Sequence, residues 1–370
     1  MSLFQELVRP NVRAMDPYAA IVPFEVLSRR LGRDPSTIIK LDANENPYGP
    51  SPRVRERLAQ FPYYHIYPDP QQEALRAALS EYVHVPADHI FVGHGADEII
   101  DLLCRLFLRP GDAIINAPPT FGMYEFDAQV SGGEVVNVWR DEHFRVDVAG
   151  LVEAVAQVNG DGENRAKLLF LTTPNNPDGS VLDPDALRVL LELPVMVVVD
   201  EAYFEFSDQA SFVPWVLERE NLIVLRTFAK WAGLAGLRLG YGVFPLWVMD
   251  YLWRIKQPYN VNVAATVAGL TALEDRAYYE PILQAIKEER ERLYRALQSI
   301  SYLHPYPSQG NFILVRVEGR SARELQQALA QEGILVRYFD KPGLHNSLRI
   351  SVGKPEHTDA LVAVLREFER

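Results

Sequence analysis

Short apolar runs of strand length punctuate this chain, and several of them stop abruptly at a polar residue or a glycine turn. Ile90–Val92, Ala113–Ala117, Glu134–Trp139, Lys167–Leu171, Val195–Asp200, Leu222–Thr227 and Leu237–Val243 are such runs. Helical spacing lies between many of them, as in Ile99, Ile100, Leu102, Leu103, Leu106 and Phe107. This alternation predicts an α/β fold with a mostly parallel central sheet and helices on both faces. From about residue 276 the pattern changes to a long polar helix (280–299), strands at 311–317, 334–338 and 348–352, and helices at 321–332 and from Pro355. That part reads as a smaller α+β domain. A chain of 370 residues is too long for one compact core, so more than one domain is expected.

Upstream, Pro10, Pro17 and Pro23 mark an irregular opening, residues 24–31 read as a short helix, and Leu41–Pro50 is turn-rich. Asp69-Pro70 reads as a helix cap with proline at the first helical position. The stretch Asn159–Arg165 reads as a surface loop.

The ends of the runs carry the chemistry. Pro174-Asn175-Asn176-Pro177 follows Lys167–Leu171, Asp200-Glu-Ala-Tyr203 ends Val195–Val199, and Thr227-Phe-Ala-Lys230 ends the run from Asn221, with Gly236-Leu-Arg238 just beyond. Open α/β sheets bind ligands at the carboxyl ends of their strands. Taken singly, a lysine after a strand is an ordinary solvated group, Asp-Glu an ordinary helix cap and Pro-Asn-Asn-Pro an ordinary turn. In this order the set matches what pyridoxal 5'-phosphate chemistry needs. A carboxylate, Asp200, keeps the cofactor's ring nitrogen protonated so that carbanion charge can drain into the ring. A lysine, Lys230, bonds covalently to the cofactor and, once displaced by the substrate amine, moves the proton at Cα. A phenol and an amide, Tyr203 and Asn176, donate toward the ring oxygen and favour its anionic form.

These residues and motifs give the chain a resemblance to the fold-type I aminotransferases. Leu41-Asp-Ala-Asn-Glu-Asn-Pro-Tyr-Gly, Tyr67-Pro-Asp-Pro-Gln, Gly95-Ala-Asp-Glu, Pro118-Pro-Thr-Phe-Gly-Met-Tyr124, Leu234-Ala-Gly-Leu-Arg238 and Leu348-Arg-Ile-Ser-Val-Gly353 extend it over nearly the whole length, toward the histidinol-phosphate branch. The resemblance implies a domain plan of 1–47 (N-terminal arm and part of the small domain), 48–275 (large, cofactor-binding) and 276–370 (small). It implies that Gly95, Ala96 and Asp97 cradle the cofactor phosphate at a helix start, where free N–H groups and the dipole attract anions, with Arg238 as counter-charge. The close packing suggested for Arg238 rests on the flanking Gly236 and Gly240. Phe121 matches the aromatic that stacks on the pyridine ring. Arg337 and Arg349 look like the family's anion-binding arginines, suited to a phosphate at one half-reaction and a carboxylate at the other, with Asn311 orienting the same anion. Tyr67 would reach the phosphate of the neighbouring subunit and Tyr18 the neighbour's substrate pocket. A homodimer with shared active sites, a small-molecule amino donor and a 2-oxo acid follow as partners; no metal-ligating set is assigned.

This chain departs from the family's pattern twice. Ala229 stands where a hydroxyl residue usually contacts the phosphate, leaving Thr227 or water to replace it. Asp178 stands in the usual Asn-Pro-Thr-Gly, where a turn tip would leave its charge solvated.

Composition narrows the rest. A formal charge of −12 and a pI near 5.2 argue against a nucleic-acid partner. The single Cys104 reads as core packing in a reducing compartment. Neither a signal-peptide pattern nor an apolar run of about 18 residues is found, so no membrane association and a cytoplasmic location are expected. An aromatic-amino-acid aminotransferase would share the same catalytic residues and differ only in pocket lining; a pyridoxal-phosphate-dependent decarboxylase of a phosphorylated amino acid is a further enzyme alternative. A pyridoxal-phosphate-binding regulatory domain or other non-catalytic binding protein is the reading from outside the class.

Overall fold

A computed structural model of the chain describes residues 4–18, 24–160 and 165–369. In chain order the strands are β1 (Ile39–Leu41), β2 (Ile90–Gly93), β3 (Ala113–Asn116), β4 (Glu134–Asn137), β5 (Ala166–Thr172), β6 (Met196–Asp200), β7 (Leu222–Thr227), β8 (Gly240–Val243), β9 (Leu303–Pro305), β10 (Phe312–Val317), β11 (Ile334–Phe339) and β12 (Ser347–Ser351). The apolar runs of the first part form one seven-stranded sheet, ordered β2-β8-β7-β6-β5-β3-β4. Every neighbouring pair from β7 to β4 is parallel, and β8 alone runs against its neighbours β7 and β2. Helices cover both faces, so most of the strands are buried throughout, which is why they read as continuous Val, Ile and Leu.

Strand alternation sorts β6 onto two cores. Val197 and Val199 join Leu169, Leu171 and Val224, whereas Met196 and Val198 join Phe170, Ile223 and Tyr124. Asp200 continues the second set and Glu201 the first. On its own face Glu201 forms a buried ion pair with Arg226, Oε2 to Nη2, 2.8 Å.

The second sheet is ordered β1-β11-β12-β10-β9. It is antiparallel except for β1, which pairs in parallel with β11, Ile39 opposite Ile334. The helices Arg276–Gln298, Ala322–Gln331 and Pro355–Glu367 supply Leu293, Leu325 and Leu361 to its separate core.

Some local expectations need correction. The helix after Asp69-Pro70 is Glu73–Val83, and Pro70 lies outside it, because Gln72 adopts a left-handed conformation (φ 48°) that breaks the helical path. Asp69 still caps it, accepting from the Glu73 N–H at 2.7 Å. The long polar helix begins at Arg276, and Pro281 inside it explains why its start reads late. Helices Pro52–Gln60, Leu246–Ile255 and Val263–Glu274 went unread. Helix Val148–Gly160 runs into the stretch expected to be a loop, whose residues 161–164 lie outside the described residues. Cys104 is buried in helix Gly95–Phe107, as core packing requires.

Candidate active site

The parallel register brings the polar strand ends together: Thr172 of β5 pairs with Asp200 of β6, and Thr227 of β7 with Gly240 of β8, which also faces Gly93 of β2. Helix Gly95–Phe107 starts directly after β2, so its first turn lies on this edge. The glycines there are required by space. A Cβ built on Gly95 (φ +78°) would stand 2.6 Å from Arg238 Nη2, and one on Gly240 would stand 2.5 Å from the Ala96 nitrogen. Gly236 contributes nothing of the kind, since a Cβ there meets open space. Arg238, itself left-handed at φ 55°, reaches back over the helix start and donates to Asp97 Oδ2 at 2.6 Å. The helix start and the guanidinium make a cradle with the charge and N–H donors a phosphate needs. Thr227, the candidate to replace the hydroxyl absent at Ala229, donates from Oγ1 to the Leu239 carbonyl (3.3 Å) and accepts from the Ala229 N–H (3.0 Å).

Beside the cradle, Asp200 is buried with two donors: the Tyr124 hydroxyl at 2.6 Å on Oδ2 and the Ala202 N–H at 3.0 Å on Oδ1. Burial pushes its carboxyl up to about 6, against the pull of these bonds. Phe121 packs edge-to-face on Tyr124, centroids 5.6 Å apart, on the same side of the sheet. The Lys230 ammonium donates to the Ala43 carbonyl (3.1 Å) and stands 5.6 Å from the centre of the Tyr203 ring. Tyr203 Oη accepts from Asn44 Nδ2 at 3.1 Å, which leaves the phenol proton available to an outside acceptor. Asn176 Oδ1 accepts from Arg349 Nη1 at 2.6 Å, which leaves its amide N–H groups available in the same way.

The second sheet contributes the cations. Arg349 is buried, donates through Nη2 to the Asp42 carbonyl (2.7 Å), and lies between Phe312 and Phe339, 5.6 and 5.9 Å from their ring centres. Burial lowers its pKa from the usual arginine range. Arg337 is its cross-strand partner and packs over Phe339. Asn311, expected on the anion, donates one of its two amide N–H groups to the Asn44 carbonyl at 3.0 Å. It is a strut for the loop that holds Tyr203.

Both tyrosines assigned across a subunit boundary come out differently. Tyr18 lies against its own chain, edge-to-face with Phe126 at 5.9 Å. Burial raises its phenol pKa while Arg337 and Arg349 pull it down. Tyr67 is 78 % exposed and stacks on Tyr259 at 4.5 Å. With Phe61, Tyr63, Ile66, Val263 and Leu270 it lines an apolar groove of about 410 Å³. Asp178 is no solvated turn tip: it is buried, bonded to Asn175 Nδ2 and the Ser180 N–H (2.8 Å), and faces Arg140. Sequence reasoning missed Tyr124, Thr172, Asn44 and Asp42, although the motifs Pro118–Tyr124 and Leu41–Gly49 contain three of them.

A lysine, a buried carboxylate, a phenol and a phosphate cradle on the carboxyl edge of such a sheet define a pyridoxal-phosphate enzyme of fold type I. The chain belongs to the aminotransferases of class I and II, whose family pattern matches residues 36–365. It is 51% identical over 362 residues to the chloroplastic histidinol-phosphate aminotransferase of Nicotiana plumbaginifolia, covering 98% of this chain and 86% of the relative. With the histidinol-phosphate aminotransferase of Roseiflexus castenholzii it shares 51% over 369 residues, 98% of each chain. Among solved structures, histidinol-phosphate aminotransferase from Sinorhizobium meliloti in complex with pyridoxal-5'-phosphate superposes with a TM-score of 0.88 at 27% identity, covering 98% of both chains. L-threonine-O-3-phosphate decarboxylase from Porphyromonas gingivalis, at 22% identity and a TM-score of 0.77 over 90% of this chain and 99% of that one, shares the fold. The protein is a pyridoxal-phosphate-dependent aminotransferase.

Proposed function

We propose that the chain transfers the amino group of L-histidinol phosphate to 2-oxoglutarate, giving imidazole acetol phosphate and glutamate, in histidine biosynthesis. The observation that carries this reading is the facing pair Arg337 and Arg349, with Asn176 bonded to the second of them. Two guanidiniums on one face suit a phosphate dianion at one half-reaction and a carboxylate at the other. The relatives at 51% identity support it by name.

The cofactor fits the residues present: its phosphate suits the Gly95-Ala96-Asp97 turn and Arg238, its ring nitrogen Asp200, its ring oxygen the spare donors of Tyr203 and Asn176. When bound, it supplies an electron-withdrawing ring that stabilises a carbanion at the substrate's Cα. Lys230 would hold it covalently and, once displaced by the substrate amine, would carry the proton to and from Cα. Asp200 would keep the ring nitrogen in its protonated form, and Phe121 would supply the aromatic face beside the ring. Tyr18 closes the substrate pocket in its own subunit. Tyr67 reaches the phosphate of a second copy, so the enzyme is a homodimer joined over the apolar groove beside Tyr67. Among the described residues no helix is long and apolar enough to cross a membrane; with the one cysteine buried and unpaired, we place the reaction in the cytoplasm.

The test is a side-by-side measurement of kcat/KM for L-histidinol phosphate, L-histidinol, L-phenylalanine and L-tyrosine with 2-oxoglutarate as acceptor. Removing the phosphate should cost more than about a hundredfold, the scale of two charge-assisted contacts. Phenylalanine turning over faster than histidinol phosphate would replace this reading with an aromatic aminotransferase.

A further inference from the structure

Behind Asp200 runs a chain of hydroxyl groups that the reaction as described does not use. Tyr124, in helix Met123–Ser131, is completely buried and stacks on Phe170 of β5, centroids 4.6 Å apart at 8°. Its hydroxyl stands 2.6 Å from Asp200 Oδ2 and 2.9 Å from Thr172 Oγ1. Thr172 Oγ1 is in turn 3.1 Å from Thr120 Oγ1, which is 2.8 Å from Asn175 Oδ1.

The protons in this chain can be counted, because each hydroxyl carries one. At the far end the direction is fixed: Asn175 Nδ2 faces two acceptors, the Pro119 carbonyl at 2.9 Å and the Asp178 carboxylate, so Oδ1 must accept and Thr120 must donate. At the near end an ionised Asp200 can only accept, so Tyr124 donates to it. Thr172 is left with one proton for two contacts. A proton placed on Asp200 turns the chain round: Asp200 donates to Tyr124, Tyr124 to Thr172, Thr172 to Thr120 and Thr120 to Asn175, and every contact is filled. The ionised state therefore has the stronger single bond, since a phenol donating to a carboxylate is charge-assisted, while the neutral state has the more complete chain.

We propose that Tyr124 is a positioning residue that holds Asp200 in place and ionised, and that Thr172 and Thr120 form with it a proton-short hydroxyl chain that opposes this hold. The proposal rests on the reading of Asp200 as the ring-nitrogen carboxylate for its importance to turnover, but not for its test. The other charged and titratable groups that act on Asp200 are Asp97 at the helix start, Glu201 beside it on β6, itself paired with Arg226, and Tyr203 through Tyr124. None of them belongs to the hydroxyl chain.

The two ends of the argument give opposite signs. In Tyr124→Phe, which keeps the ring and its stacking, the ionised state loses the charge-assisted donor of a buried carboxylate, and the neutral state loses two ordinary contacts, Asp200 to Tyr124 and Tyr124 to Thr172. A buried charge left short of a donor is the costlier loss, so the midpoint of Asp200 titration rises. In Thr172→Val the neutral chain loses two contacts and the ionised chain one, so the midpoint falls. General loosening with water entry would lower it in both variants. The experiment is carbon-13 NMR of the full-length cofactor-free protein labelled at aspartate carboxyl carbons, with the Asp200 signal identified by its loss in Asp200→Asn. A rise in Tyr124→Phe with a fall in Thr172→Val supports the proposal; shifts of the same sign, or no shift, overturn it. Should Tyr124→Phe fail to fold, Thr172→Val is read beside Thr172→Ser, which keeps the hydroxyl: a fall in the valine variant that is absent in the serine variant supports the proposal, and a fall in both or in neither overturns it. In the holoenzyme, Tyr124→Phe moves the acid limb of the kcat profile upward by the same interval, with KM for the amino donor unchanged.

Discussion

Arg337 and Arg349 are register partners on the antiparallel strands β11 and β12, so two cationic side chains leave the same face of the sheet directly opposite each other. Like charges so placed destabilise a strand pair by roughly 0.2–1 kcal/mol. Arg349 carries the further cost of burial, which lowers its pKa. A fold accepts such a pair where an anion repays it.

Replacing Arg337 by Gln should therefore separate stability from recognition. Without added anions the variant melts at the same temperature as the parent or higher, and phosphate ions stabilise it less. Its kcat/KM for histidinol phosphate falls about 10- to 100-fold, the loss of one charge-assisted contact. Calorimetry with and without phosphate, beside steady-state kinetics, checks both parts. A variant that melts earlier without anions would count against the charge argument.

Lys230→Ala should lose the covalent bond to the cofactor and several orders of magnitude in turnover. Borohydride reduction of the parent followed by peptide mapping identifies the attached residue, and label on any other lysine rejects the assignment.

Asp127 offers a pH signature away from the chemistry. Burial, with Asp101 and Asp97 nearby, pushes its carboxyl up to about 7 from 3.8, and Oδ2 has no partner. A carboxyl raised by folding stabilises the native state fully below its unfolded pKa, and that contribution is lost as pH rises through the folded value. The advantage of Asp127→Asn over the parent should thus grow by about 1–4 kcal/mol between pH 4 and pH 8. Unfolding by urea at the two pH values measures it; a difference independent of pH would contradict the assignment.

The exposed ring of Tyr67 is the natural probe of the dimer. Tyr67→Phe keeps the apolar contact and should leave a dimer by sedimentation velocity while cofactor dissociates faster, if the phenol reaches across as proposed. An active monomer, or unchanged cofactor retention, would defeat the shared site.

Sequence made the strand ends legible because each functional side chain there ends an apolar run, and the run itself fixes which edge of the sheet it occupies. Asn176, Asp200, Tyr203, Lys230 and Arg238 come from that one edge. The residues that went unread act across long separations: Tyr124 meets Asp200 over 76 positions and Asn44 meets Tyr203 over 159, distances at which no local pattern survives. Asp178 looked solvated because Asn-Pro-Asp-Gly reads as a turn, and only the packing of Arg140 and Asn175 behind it shows the turn facing inward. Helix Val263–Glu274 lacked a signal because it is apolar nearly all round, with Ala265, Ala268 and Ala272 buried.

Arg349 belongs by its strand to one sheet and by its Nη1 bond to the other, since Asn176 follows β5. A substrate anion that draws on that guanidinium competes with the bond that ties the sheets together across the cleft. If Arg349 takes the substrate anion as proposed, gripping the ligand and setting the gap between the two sheets would be one adjustment.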